Sequence, residues 1–334
     1  METSNLVDSL GFPPMEDAAE EVSISKTMAI IACTSMSILY VAILYSPTLI
    51  LRLPNPSTLN SFMIRRFICA AVSSVISVFL CAFLLIPVGK WGLSSLFGLY
   101  GIRADHMWNA VVYPLSLTSL LYTGWFVTML ISPKKSRNED NVNGDLFWCL
   151  KNSIRGFLER MTSLTSNVLA WRNYVVAPLT EEVVFRACMI PLLLCGGFKP
   201  YTIIFFSPIF FSLGKSSFVI SHLNHFLELY FQQNYTFLKA SLIVGLQLGY
   251  TVLFGSYASF LFIRTGHLIA PVVAHVFCNI MGLPMLSSQR KGLSVAATVA
   301  GFLGFIWLLF PATNPNLYNY RTDNCLCWHG YCTL

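Results

Sequence analysis

Long apolar stretches recur along the chain, separated by short polar breaks. Eight of them come close to the roughly 20 residues a bilayer-spanning helix needs. They run Thr27–Leu51, Phe67–Val88, Met107–Ser132, Leu169–Cys195, Tyr201–Tyr230, Phe237–Ile263, His267–Pro284 and Leu293–Phe310. In lipid each spanning segment must satisfy its own backbone, so the pattern predicts an all-α, polytopic bundle of about eight transmembrane helices. Around these runs the chain divides into a polar, acidic N-terminal tail (1–26), a first set of membrane helices (27–132) and a hydrophilic loop with an amphipathic piece (133–164). A second membrane region (165–311) and a cysteine-containing tail (312–334) follow. No internal repeat is evident, so nothing points to an inverted-repeat transporter.

Composition sharpens this reading. Of 334 residues, 55% are hydrophobic and 11% charged, against roughly 25% charged in soluble domains. The mean hydropathy is +0.63. A cytosolic enzyme, a disordered chain and a small disulfide-rich module are excluded. Residues 1–21 carry six acids and no base, the reverse of a secretory signal, so the first apolar run is expected to stay as a span. The 133–162 stretch holds six bases against four acids, and Arg52, Arg65 and Arg66 form a second basic loop. Both are cytosolic if the acidic N-terminus is luminal. No basic patch is interleaved with exposed aromatics, so nucleic acid is not an expected partner; the lipid bilayer is. Cys325, Cys327, Cys332 and His329 crowd the tail, with spacing that fits no zinc template.

Ionisable groups within spans are costly and mark function. Three clusters stand out. In Ala177-Pro178-Leu179-Thr180-Glu181-Glu182-Val183-Val184-Phe185-Arg186, Pro178 suits a first helical turn or a kink. Glu182 and Arg186 are four apart and share a face, while Glu181 is rotated by about 100°. One carboxylate held by an arginine beside another turned away is a sensible general base; a structural ion cluster is the alternative. The second cluster is Phe218-Val219-Ile220-Ser221-His222-Leu223-Asn224-His225. There His222 can orient a water, with His225 and Phe218 as neighbours on its face. In the third, His275 and Asn279 stand four apart and can donate to a developing oxyanion, or simply join two helices. No H-E-x-x-H and no G-x-S-x-G occurs, so neither a metal nor a cofactor is expected.

E-E-x-x-x-R, F-x-x-x-H and H-x-x-x-N in successive helices resemble the CPBP (Abi) glutamate intramembrane peptidases. More narrowly they resemble their type II CAAX prenyl endopeptidases, in a plant-like form. Supporting runs are APLTEEVVFRACMIPLLL, SHLNHFLELY and GYTVLFGSYASFLFIRTGHLIAPVVAHVFCNIMGLP, the match covering about Trp171 to Pro284. The resemblance implies a metal-independent protease of the endoplasmic reticulum membrane with an intramembrane active-site cavity, 165–311 being its catalytic core. It implies removal of the last three residues from farnesylated or geranylgeranylated CaaX proteins of the small GTPase type. Glu181 would be the base with His222 on the attacking water, and His275 and Asn279 the oxyanion pair. Glu182 and Arg186 would support them. Family members read like FFSLAHLNH, whereas here Lys215–Ser221 separate Leu213-Gly214 from His222. This looks like a seven-residue insertion, with Phe211 the family phenylalanine and Phe218 in its place by coincidence of spacing. A transporter or ion relay, or an inactive prenyl-protein-binding form, are the competing readings.

Overall fold

The computed structural model describes residues 24–49, 52, 54, 56, 58–89, 93–131, 167–214, 236–282 and 292–318. Among these residues every regular element is helical. The helices are α1 (Lys26–Leu49), α2 (Leu59–Gly89), α3 (Leu93–Leu99), α4 (Met107–Leu120) and α5 (Thr123–Ile131). Next comes α6 (168–195), then α7 (Pro200–Gly214), α8 (Phe237–Thr265), α9 (Ile269–Met281) and α10 (Gly292–Ala312). A 3₁₀ turn, Pro315–Leu317, follows. The chain is a polytopic helical membrane protein. Within α1, α2, α8 and α10, four stretches are long and apolar enough to cross a bilayer, and shorter apolar helices lie at Pro200–Phe211 and Ile269–Met281. The far half of the expected Tyr201–Tyr230 span, including 215–230, lies outside the described residues.

The expected Met107–Ser132 span is broken in two. Hydroxyls compete for main-chain carbonyls at the break: Thr118 Oγ1 donates to Pro114 O, Ser119 Oγ to Ser116 O and Thr123 Oγ1 to Leu120 O. Such back-bonding loosens a helix, and the chain turns at Leu121–Tyr122 before α5 begins. The turn lets α5 pack closely on α10 through small and hydroxyl residues. Thr123 Oγ1 donates to Ala297 O at 2.8 Å, and Ser294 Oγ to Gly124 O at 2.8 Å. A methyl on Gly301 would overlap Thr123 Oγ1 and the Leu120 carbonyl, so the helices approach to backbone contact, the usual device for helix association in lipid.

α6 is the central helix. From Val184 to Cys195 every residue is buried, Arg186 among them, and apart from it the segment is apolar on all sides, as expected of a buried helix. It packs against α1, α2, α7, α8 and α9. The periphery is the reverse. Phe79 and Phe83 on α2, Leu238 and Leu253 on α8, and Trp307 on α10 are exposed, an apolar band that suits lipid.

Candidate active site

The site is built on α6, which is not a regular α-helix. Its α-helical segments Val168–Trp171, Ala177–Glu182 and Met189–Cys195 alternate with π-helical Arg172–Val176 and Val183–Cys188. Pro178 stands just past the first π segment. Proline has no N–H to give the carbonyl four residues back and its ring collides with it; the wide turn is one way a helix absorbs this. Pro178 therefore opens no helix. The helix starts at Val168, so Glu181 and Glu182 lie well inside it rather than near an N-terminus.

Glu182 is fully buried and is the hub. Arg186 Nη1 donates to its Oε1 at 3.3 Å, and Arg186 Nε lies 3.2 Å from its Oε2 in an ionic contact too bent for a hydrogen bond. The spacing of four thus yields the pair. His275 on α9 brings Nδ1 to 2.7 Å from the same Oε1. Glu182 is therefore shared by a guanidinium on its own helix and an imidazole 93 residues away. Arg186 completes its environment with a hydrogen bond to Gly255 O at 3.2 Å and with the ring of Phe211, whose centroid lies 5.6 Å from Cζ. Gly255 lets α8 come close, since a Cβ there would lie 3.3 Å from Pro208 Cγ. The ring of Phe254 stands 5.0 Å from that of His275, tilted by 58°.

Glu181 is 8% exposed, as is His275. The next residue back, Thr180, receives two contacts that brace this turn. Tyr40 from α1 hydrogen-bonds its Oγ1 at 3.2 Å, and Ser74 from α2 donates to its carbonyl at 3.5 Å. Asn279 sits one turn beyond His275 and is exposed. Its Nδ2 donates to Asn173 O, in the first π segment, at 2.8 Å. The two members of the expected donor pair are thus both tied to α6, at different heights. The end of α9 is fixed by Tyr122, whose hydroxyl donates to Gly282 O at 2.8 Å and stands 3.3 Å from that of Tyr250.

His222, His225, Phe218 and the whole of Lys215–Ser221 lie outside the described residues. Among the described residues no three His, Cys, Asp or Glu side chains gather to hold a metal ion. The intramembrane cavity expected to bring Glu181 and His222 together lies partly outside them as well. A cavity of about 370 Å³ lies elsewhere, between α4 and α10, lined by Tyr113, Leu117, Leu120, Leu308, Pro311 and Ala312.

Sequence comparison bears on this arrangement. The family model for type II CAAX prenyl endopeptidase Rce1-like matches residues 163–281, a stretch that contains every site residue above from Asn173 to Asn279. CAAX prenyl protease 2 of Arabidopsis thaliana is 52% identical over 315 residues, covering 94% of this chain and 99% of that protein. The chain belongs to the Rce1-like endopeptidases. CAAX prenyl protease 2 of Homo sapiens is 35% identical over 304 residues, 87% of this chain and 83% of that protein. The Caenorhabditis elegans protein of the same name is 31% identical over 254 residues, 74% and 84%. No solved structure matches significantly.

Three features of this Rce1-like site escape a reading of the sequence. The Gly255 carbonyl on Arg186 carries no side-chain signal. The Asn173 carbonyl on Asn279 is equally silent. The bond between Glu182 and His275 joins two residues that spacing treats separately, although both are polar groups in apolar helices and must find partners.

Proposed function

We propose that the chain removes the C-terminal tripeptide from prenylated C-a-a-X proteins, small GTPases among them, by metal-independent attack of water within the endoplasmic reticulum membrane. Membership of the Rce1-like family makes it a membrane endopeptidase; its relatives are named as CAAX proteases, which favours this reading over a transporter. In the proposed mechanism, the Glu181 carboxylate, with His222, takes a proton from water as the water oxygen attacks the carbonyl of the prenylated cysteine itself. The carbonyl becomes a tetrahedral oxyanion, and the proton passes to the leaving amine as the C–N bond breaks. The products are a prenyl-cysteine carboxylate and a free tripeptide.

The observation that carries this reading is the shared Glu182. Its contact with His275 Nδ1 leaves Nε2 as the ring nitrogen for the substrate. With Nδ1–H donated to Glu182, Nε2 of a neutral ring carries a lone pair and accepts. Donation to an oxyanion requires a proton on Nε2. Arg186 holds Glu182 in that position. Asn279 has a second amide N–H beyond the one on Asn173 and supplies the other donor. The membrane contributes too: prenyl carbons gain up to about 0.8 kcal/mol per CH₂ buried in lipid, which concentrates substrate beside the helices.

The test is incubation of purified protein with a farnesylated C-a-a-X peptide and mass spectrometry for loss of three residues. The parent protein releases the tripeptide and Glu181→Ala does not, while remaining in the membrane. Near-normal release by Glu181→Ala removes it as the base.

A further inference from the structure

An endopeptidase that stops three residues from a chain end needs a group that reads that end, and the end carries a free α-carboxylate. Among the described residues, Arg66 is a cation suited to it. α2 and α6 run in the same direction side by side, Ser74 Oγ meeting Thr180 O at 3.5 Å and Cys81 Sγ meeting Cys188 O at 3.3 Å. Arg66 lies eight residues before Ser74 on α2. At 1.5 Å per residue it is about 12 Å along the axis from the level of Thr180 and Glu181. An extended tripeptide spans about 10–11 Å at 3.3–3.6 Å per residue. A substrate with its scissile carbonyl at Glu181 and its tail directed along α2 therefore places its terminal carboxylate at Arg66.

The surroundings of Arg66 fit that task. Its guanidinium is held by two aromatic rings, with Cζ 5.1 Å from the centroid of Tyr45 on α1 and 5.7 Å from that of Phe62 on α2. Among the described residues no carboxylate pairs with it. Ring faces pre-orient a guanidinium without neutralising it, so its planar fork stays available for a bidentate carboxylate. The neighbouring cations are placed differently. Arg65 turns back to Pro54 O at 3.2 Å, and Arg172 is exposed. One further residue joins the two ends. The hydroxyl of Tyr40, bonded to Thr180 Oγ1, lies within electrostatic reach of both the Glu181 carboxylate and the Arg66 guanidinium.

We infer that Arg66, braced by Tyr45 and Phe62, binds the C-terminal carboxylate of the substrate and so fixes the cut three residues from the end. This rests on the endopeptidase reading above. The experiment uses the full chain in detergent micelles and two farnesylated C-a-a-X peptides, identical except that one ends in the free acid and the other in the carboxamide. The parent protein should cleave the amide with kcat/KM lower by about tenfold to a hundredfold, the range for a hydrogen-bonded charge. Arg66→Gln should slow the acid by a similar factor and leave the amide unaffected; Arg66→Lys should recover part of the loss. A parent protein indifferent to amidation overturns the inference, and that comparison needs no variant to fold. So does an Arg66→Gln protein that slows both peptides equally, as a mere membrane anchor would. Cleavage of neither peptide by the parent protein sinks the endopeptidase reading itself, a result readily told apart from these.

Discussion

Glu182 offers the sharpest separation of stability from chemistry. Arg186 is 2% exposed and makes its ionic contact with Glu182. Glu182→Ala leaves that guanidinium buried with only the Gly255 carbonyl and the Phe211 face of its present partners. Removing one member of a buried ion pair costs about 3–5 kcal/mol. The freed His275 Nδ1 adds to this, though the contributions of contacting groups do not sum. At about 2–4 °C per kcal/mol for a domain of 150–250 residues, the melting temperature in detergent should drop on the order of 10 °C. Replacing both charges, as in Glu182→Ala with Arg186→Met, removes the stranded cation. Apolar replacement of a buried pair is often neutral, so the double variant should melt well above the single one. It should still cleave nothing, because His275 has lost the group that orients it. Fluorescence-detected thermal unfolding and tripeptide release, run on the same preparations, give both readouts. A Glu182→Ala protein melting within about 2 °C of the parent, or a double variant no more stable than the single, refutes the reasoning.

Three further outcomes are expected. Activity should survive EDTA and phenanthroline; loss on chelation with specific recovery on zinc would make His222, His225 and His275 ligands and overturn the glutamate mechanism. Deleting Lys215–Ser221 should raise activity or stability, since seven extra residues would displace His222 by about 10 Å if they formed straight helix, and misplacements near 1 Å already cost about a hundredfold. Equal rates would mean the insertion is absorbed harmlessly, and a dead deletion form would make Phe218 the working neighbour of His222. Gly301→Val should destabilise the protein by about 1–3 kcal/mol or more through overpacking against Thr123 and Leu120; an unchanged unfolding midpoint would show that α5 and α10 separate easily.

The helical membrane architecture was legible because apolar length is a direct consequence of bilayer thickness. The Glu182–Arg186 pair was legible because neighbours four apart meet on a helix. The break between α4 and α5 was not, since hydroxyl groups such as Thr118 fit apolar helices as readily as they disturb them. The contact of Glu182 with His275 belongs to tertiary structure: the sequence marks both as costly in lipid but says nothing of which partner each takes. Pro178 left two readings open, a first turn or a kink in a longer helix, and it lies within a longer one. A proline permits a helix start, yet here a wide turn before it keeps the helix running. The resemblance pointed to Phe211 as the family phenylalanine, and Phe211 stands against Arg186.

The π segments of α6 have a consequence for how this helix tolerates change. A π turn holds one residue more than the α turn it replaces, so each records a place where the chain accommodates an extra residue without shifting what lies on either side. Removing one residue from Val183–Cys188 would let the hydrogen bonds close as ordinary α turns. The helix would stay intact, but Glu181 and Glu182 would swing by about 100° against the buried segment from Met189 onward. The irregular turns are thus a phase adjustment between two surfaces of one helix, one surface fitted to the apolar interior and the other to His275. Length, and not only residue type, is under constraint at this point in the chain.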